Sequence, residues 1–204
     1  MSDMAIEIKR RSFTVTEYHR LFDEGFLTER DRVELIDGDL IEMPPIGRFR
    51  VSRHARITRY LNDALRGRAT VLPMGSFPLG EHSEPQPDLA VFPFDDQSYE
   101  KRPYPPVTEF LAFIEIADFT LAYDLKIKMR LYASHGVSDY LLVDLRGNRV
   151  LVHRKPTPTG YASTFVLTYG ERFALSQIAD VQLSANEFLA VPLTGCESSE
   201  CRGV

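Results

Sequence analysis

"EFLAFIEIA" (residues 109–117), "LAYDLKIKMRLYASHG" (121–136) and "DYLLVDL" (139–145) follow one another almost without a break, and their order decides the fold. The first is a continuous apolar run of strand length, as expected for a strand covered on both faces near the middle of a sheet. The second places Leu121, Leu125, Met129 and Tyr132 on one helical face and ends at Gly136. The third is a further buried strand.

Outward from this unit, "VSRHARITRYLNDALRG" (51–67) repeats Ile57, Tyr60, Leu61 and Leu65 at helical spacing, with Ser52 as cap and Gly67 as stop. Between the two helices, "ATVLPM" (69–74), "SFPLG" (76–80) and "DLAVF" (88–92) read as short strands, and 94–109 as a loop. Upstream, "TVTEYHRLFDEGF" (14–26) predicts a short helix capped by Thr16, and "RVELIDGDLIEM" (32–43) a hairpin turning at Asp37-Gly38. Downstream, "RVLVHRK" (149–155) and "YASTFVLTY" (161–169) are strands, and "SANEFLA" (184–190) a terminal helix. The expectation is an α/β or α+β fold, one mixed β-sheet flanked by helices. A loose arm over 1–12, one domain over 13–190 and a tail over 191–204 complete the organisation.

The 204 residues, 44% hydrophobic and 26% charged, suffice for one core without disulfides or a structural metal. No apolar run reaches the ~18 residues of a membrane span, and the N-terminus lacks the apolar segment of a secretory signal, so a cytoplasmic location is expected. A net charge of -5 weighs against a sequence-blind nucleic-acid coat. It leaves room for a nuclease, whose acidic site a cation neutralises. Cys196 and Cys201 read as reduced thiols in the tail.

Three acids interrupt strand patterns: Glu34 in "RVELIDG", Asp88 after Pro87, and Glu115 inside the most apolar run. Burying a carboxylate without a partner costs several kcal/mol. Ile114 and Ile116 take the face opposite Glu115, yet its own face, with Phe113 and Ala117, is apolar too. Solvent exposure, a salt bridge or a shared divalent cation would each resolve this; Mg²⁺ suits several convergent oxygens. Lys128 stands four residues after Asp124, beside the helical apolar stripe. The pair reads either as a helical ion pair of about 0.2–0.5 kcal/mol or as a lysine leaning over the sheet end. His135 reads as a helix C-terminal cap, and His19, His82 and His153 as surface residues. Arg53, Arg56, Arg59, Arg66 and Arg68 make either a solvated helix face or one that tracks a nucleic-acid backbone.

Taken together, "VELIDGDLIEMPP", "RHARITRYLNDAL", "PQPDLAVF", the run from Phe113 to Asp144 and "VLVHRKPTPTGY" resemble the Uma-two family of the restriction-endonuclease-like PD-(D/E)xK superfamily. The pieces run in the family's order over nearly the whole chain. The resemblance implies an αβββαβ core gathering acids at one sheet end. Asp88 matches the aspartate of the PD motif, and Glu115 the acid of the (D/E)xK motif. The usual lysine place is Ala117 here, and Lys128 matches a lysine supplied by the following helix. Asp88, Glu115 and Lys128 are thus the implied catalytic set, with Glu34, His54 and Asp124 in support. Asp88, Glu115 and Glu34 are the implied ligands of Mg²⁺, or of Mn²⁺ in its place. Asp118 and Phe119 replace the family's usual serine and proline, and Leu141 its tryptophan. The implied activity is metal-dependent endonucleolytic hydrolysis of nucleic acid, DNA foremost, by a homodimer. The competing functions are a non-cleaving module that binds nucleic acid or protein on the same fold, and a two-carboxylate glycosidase, against which the absence of tryptophan counts.

Overall fold

The apolar run forms strand β5 (Ala112–Ala117), fully buried along its length. The computed structural model describes residues 11–28, 30–45, 47–94 and 105–191. The elements before β5 are α1 (Val15–Asp23), β1 (Val33–Ile36), β2 (Asp39–Glu42), α2 (Arg48–Ala64), β3 (Ala69–Pro73) and β4 (Leu89–Pro93). After it come a helical rod, then β6 (Asp139–Asp144), β7 (Arg149–Thr157), β8 (Gly160–Leu167), β9 (Arg172–Leu175) and β10 (Ile178–Ser184). The rod consists of α3 (Leu121–Tyr123), a π-helical turn (Asp124–Lys128) and α4 (Met129–Ser134).

Strands β3 to β8 form one six-stranded sheet in chain order. Only β5 and β6 run parallel, joined by the rod as crossover; the other neighbours are antiparallel. The sheet is therefore mixed, as expected. Alternation along β5 sends Ile114 and Ile116 to one face, where they pack with Ile57 and Leu61 of α2 and with Leu65 just after it. Phe113 and Ala117 face the other way, against Leu131 and Tyr132 of α4 and against Ile36, Phe77 and Leu79. The β9–β10 hairpin adds Phe173, Leu175 and Leu183 to the α2 side.

The β1–β2 hairpin is a separate two-stranded ribbon. Its Asp37-Gly38 turn has φ of 51° and 84°, the doubly left-handed backbone that an Asp-Gly pair favours. The segment between β3 and β4 straps the ribbon to the sheet: Leu35 O accepts from Glu84 N at 2.7 Å and His82 O from Gly38 N at 2.7 Å. "SFPLG" therefore makes no strand; its backbone folds on itself, with Leu79 N donating to Ser83 O at 2.7 Å.

Several boundaries differ from expectation. Thr14, not Thr16, caps α1, in a capping box with Glu17. Helix α2 begins at Arg48, capped by Gly47, so Ser52 lies inside it. "SANEFLA" yields only a single 3₁₀ turn, Ala185–Glu187. Strands β9 and β10 carry no clear periodic signal, because β9 is only four residues long and the pairing of β10 shifts register between Ile178 and Leu183. His153 is buried, only 4% exposed, and stacks on Tyr140 at 5.5 Å. Its strand is flanked by β6 and β8 and covered by α4, so the expected surface position does not exist. Both cysteines and most of the two expected termini lie outside the described residues.

Candidate active site

Where pairing between β4 and β5 ends at Leu89 and Ile114, the Asp88 carboxylate takes over. Its Oδ2 accepts from the Ile116 N–H at 2.7 Å, standing in for the missing ladder bond. Arg50 of α2 donates through Nη2 to both Asp88 oxygens, each at 2.9 Å. The Asp88 carbonyl accepts from His54 Nε2 at 2.9 Å and from Met74 N at 3.0 Å. Asp88 is thus fixed by its backbone and by its side chain, and His54 holds the former.

Glu115 points to the opposite face, towards the rod. Its Oε1 accepts from Lys128 Nζ and from Tyr132 Oη, both at 2.8 Å. Lys128 Nζ also donates to Glu34 Oε1 of β1 at 3.0 Å. Glu34 further accepts from Gln86 N at 3.3 Å, two residues before Asp88. The strap from β3 to β4 therefore brings the ribbon's acid and the strand-end acid to one place.

The rod's expected core face is corrected here. Leu121, Leu125 and Met129 are half-buried, whereas Asp124 and Lys128 are buried, Lys128 to 1% exposure. The π-helical turn Asp124–Lys128 changes the angular register, so Lys128 and Tyr132 share the inner face. Asp124 does not form the ion pair that four-residue spacing suggested. It accepts from Thr120 Oγ1 at 2.6 Å, while the ion pairs of Lys128 go to Glu34 and Glu115. Asp118 lies apart from the group and pairs with Arg146 at 2.9 Å.

The group is electrostatically coupled. Burial raises Glu115 to about 8, against the pull of Lys128; Asp88, Asp124 and Glu34 push the same way as burial. Burial opposes the Lys128 charge, but Glu115, Glu34 and Asp124 outweigh it and hold its pKa above the ordinary value. Burial likewise opposes the Arg50 charge, and Asp88, then Glu115 and Asp124, override it. Burial also raises Asp124 and, with Glu34 next in weight, the nearby Tyr123 hydroxyl. Four carboxyl groups thus share one ammonium and one guanidinium.

Buried polar atoms normally find partners. Among the described residues six buried side-chain atoms lack one, and Glu34 Oε2, Arg50 Nε and Tyr123 Oη are three of them. Half of the unmet hydrogen-bonding capacity thus belongs to this one group. Neither Arg50 nor Tyr132 was anticipated from sequence. The only available hints were spacings, Arg50 one turn before His54 and Tyr132 one turn after Lys128.

The Uma2 family model, described as "Putative restriction endonuclease", matches residues 15–191. The chain belongs to that family. Its fold is also that of a solved structure described as a putative nuclease belonging to DUF820 from Anabaena variabilis ATCC 29413, at 18% identity and a TM-score of 0.67. That alignment covers 86% of this chain and 97% of the other. No curated protein matches this chain. The family is thus one described as restriction endonucleases, and the mixed sheet flanked by helices is the fold of that solved structure. No helix among the described residues is long and apolar enough to cross a membrane.

Proposed function

We propose that the chain is a divalent-metal-dependent endonuclease acting on DNA, with Asp88, Glu115 and Lys128 as its catalytic set. The observation that carries this is the unmet polar capacity of the group: four carboxyl groups against two cationic side chains, with Glu34 Oε2 buried and unpartnered. The donor set suits magnesium or manganese, which take hard oxygen ligands. Asp88, Glu115 and Glu34 would hold the ion, and it would supply Lewis acidity and a more acidic bound water.

The chain's own residues do the rest. Tyr132 fixes the rotamer of Glu115 through its 2.8 Å hydrogen bond. The Ile116 N–H and His54 fix Asp88. Lys128 brings an ammonium to the sheet end, where it would stabilise charge developing on a phosphoryl oxygen. Asp124, within its field, helps keep that ammonium protonated. Cutting both strands of a duplex would take two copies of the chain, hence the homodimer on this reading.

A second reading, a non-cleaving nucleic-acid-binding module, is favoured by one observation. Among the described residues no three acids or histidines stand grouped as metal ligands, and Arg50 and Lys128 engage Asp88 and Glu115. Plasmid nicking with magnesium, manganese or EDTA separates the two. The nuclease reading expects metal-dependent cleavage that Asp88→Asn, Glu115→Gln and Lys128→Met each abolish, with circular dichroism confirming folded variants. Cleavage unchanged in a folded Glu115→Gln protein would remove Glu115 from the mechanism.

A further inference from the structure

Seven arginines lie along α2 and just beyond it: Arg48 and Arg50 near its start, an exposed Arg59, and Arg53, Arg56, Arg66 and Arg68, whose roles the structure separates. Arg56 is spent on the C-terminal turn: it donates to Glu187 Oε2 at 3.1 Å, to Asn186 O at 2.9 Å and to Leu189 O at 3.3 Å. Arg66 pairs with Asp63, and Arg68 with Asp180. Arg53 makes no ion pair among the described residues, and its Nη1 is buried without a hydrogen-bond partner. Burial, and next the neighbouring Arg56, lower its pKa from the ordinary arginine value. A guanidinium in this state lacks an anion.

Arg53 lines a cleft of about 360 Å³ between α2 and the chain just beyond β5 and β6. Arg146 on the far wall is engaged by Asp118 at 2.9 Å and lies over the Phe119 ring at 3.9 Å. With Arg56 and Arg146 satisfied, Arg53 supplies the cleft's uncompensated charge. Ser52 adds a hydroxyl, and Phe49, on the same wall, is 72% exposed with the Arg48 guanidinium 5.1 Å from its ring centre. An exposed aromatic ring beside arginines is the recurrent platform for stacking an unpaired base.

The cleft is connected to the acidic group along the chain on both walls. Arg53 stands three residues, about 4.5 Å of helix rise, beyond Arg50, which grips Asp88. Asp118 stands three residues beyond Glu115, just past the end of β5.

We infer that this cleft binds the nucleic-acid strand beside the cleaved position, with a backbone phosphate on Arg53 and Ser52 and a base stacked on Phe49. The inference rests on the nuclease reading for its ligand class. A phosphodiester supplies the paired oxygen acceptors that a guanidinium fork fits. It also reconciles the acidic net charge with a polyanionic substrate, since the cationic contact is local.

The test uses the full chain in EDTA, so that metal-dependent cleavage does not intervene. Fluorescein-labelled single-stranded DNA, duplex DNA and RNA are titrated by anisotropy over a series of salt concentrations. Arg53→Ala should weaken binding about five- to tenfold near 0.1 M salt and reduce the logarithmic salt slope by about 0.7–0.9. Arg53→Lys should keep the slope. Phe49→Ala should weaken binding at least about fivefold with the slope unchanged. Arg66→Ala, whose exposed pairing with Asp63 lies outside the cleft lining, is the control. Affinity unchanged in folded Arg53→Ala, or no oligonucleotide binding by the wild type, overturns the inference. The two readings fail separately. Cleavage with unaltered KM in Arg53→Ala would remove the cleft and keep the nuclease. Arg53-dependent binding with no cleavage under any metal would keep the cleft and remove the nuclease.

Discussion

Lys128→Met isolates what the buried charge group does for stability. Lys128 is 1% exposed and bridges Glu34 at 3.0 Å and Glu115 at 2.8 Å. Methionine keeps the length of the chain and removes the ammonium, leaving two buried carboxyl groups facing each other. Deleting one partner of a buried ion pair costs about 3–5 kcal/mol. Protonation limits the loss here: burial already holds Glu115 largely neutral at pH 7, and neutralising one further glutamate costs at most about 3.7 kcal/mol. The expected destabilisation is therefore about 3–4 kcal/mol, a fall in melting temperature of about 6–16 °C for a chain of this size. Urea denaturation followed by circular dichroism at pH 7 measures it. Adding Glu34→Gln removes one stranded carboxyl while preserving the acceptor for Gln86 N, so the double variant should recover more than half of the loss. A loss below about 1 kcal/mol for Lys128→Met, or simple additivity in the double variant, would refute the idea that the ammonium neutralises both acids.

Two further outcomes follow from the same geometry. Burial lowers the His153 pKa, so the folded state keeps the ring neutral while the unfolded chain takes up a proton near pH 6.5. The His153 contribution should be constant above that pH and be lost as pH drops through it, by at most about 1.4 kcal/mol per unit, opposite in sign to that of Glu115, whose raised pKa lowers stability as pH rises; the difference between wild type and His153→Phe, which retains the stack on Tyr140, in denaturation curves at pH 5, 6 and 7 isolates it. Arg50→Met should lower the melting temperature in EDTA by leaving Asp88 with the Ile116 N–H but no countercharge, and should enlarge the rise on adding magnesium. An Arg50→Met protein that melts like wild type in both media would mean that Arg50 is not the countercharge of Asp88.

How far the sequence foretells this molecule depends on whether a feature is periodic. The β5–rod–β6 unit, the Asp-Gly hairpin and the two faces of β5 are legible because alternation and turn chemistry are local. Glu115, Asp88, Glu34 and Lys128 are conspicuous as charges in apolar surroundings, and the family resemblance groups them before any coordinates do. Their partners are not conspicuous. Arg50 sits among other α2 arginines, and only the end of β4 pairing selects it for Asp88. Tyr132 reads as core, which it is; its hydroxyl is aimed by the π-helical turn, and a helix assumed regular hides that. His153 departs from its expected surface position because alternation along β7 predicts one open face, and α4 closes it. Strands β9 and β10 are harder to read, because β9 spans only four residues and the pairing of β10 shifts register between Ile178 and Leu183, which breaks its alternation.

Three irregularities meet at the acidic group, and each has its own local cost. Strand pairing stops at Leu89, so that Asp88 rather than a ladder carbonyl accepts the Ile116 N–H. The rod takes a π-helical turn, which drives a lysine inward in place of the apolar stripe. The ribbon is strapped down by the β3–β4 segment so that Glu34 reaches that lysine. A fold selected for stability alone would do better with apolar residues at these positions, since replacing a buried ion pair by well-packed hydrophobic side chains is often neutral or stabilising. The sheet, the α2 packing and the aromatic cluster around Phe113 do not need the charges. Retaining them, with Glu34 Oε2, Arg50 Nε and the nearby Tyr123 Oη unpartnered, supports the proposed site, whose compensation would come from a ligand.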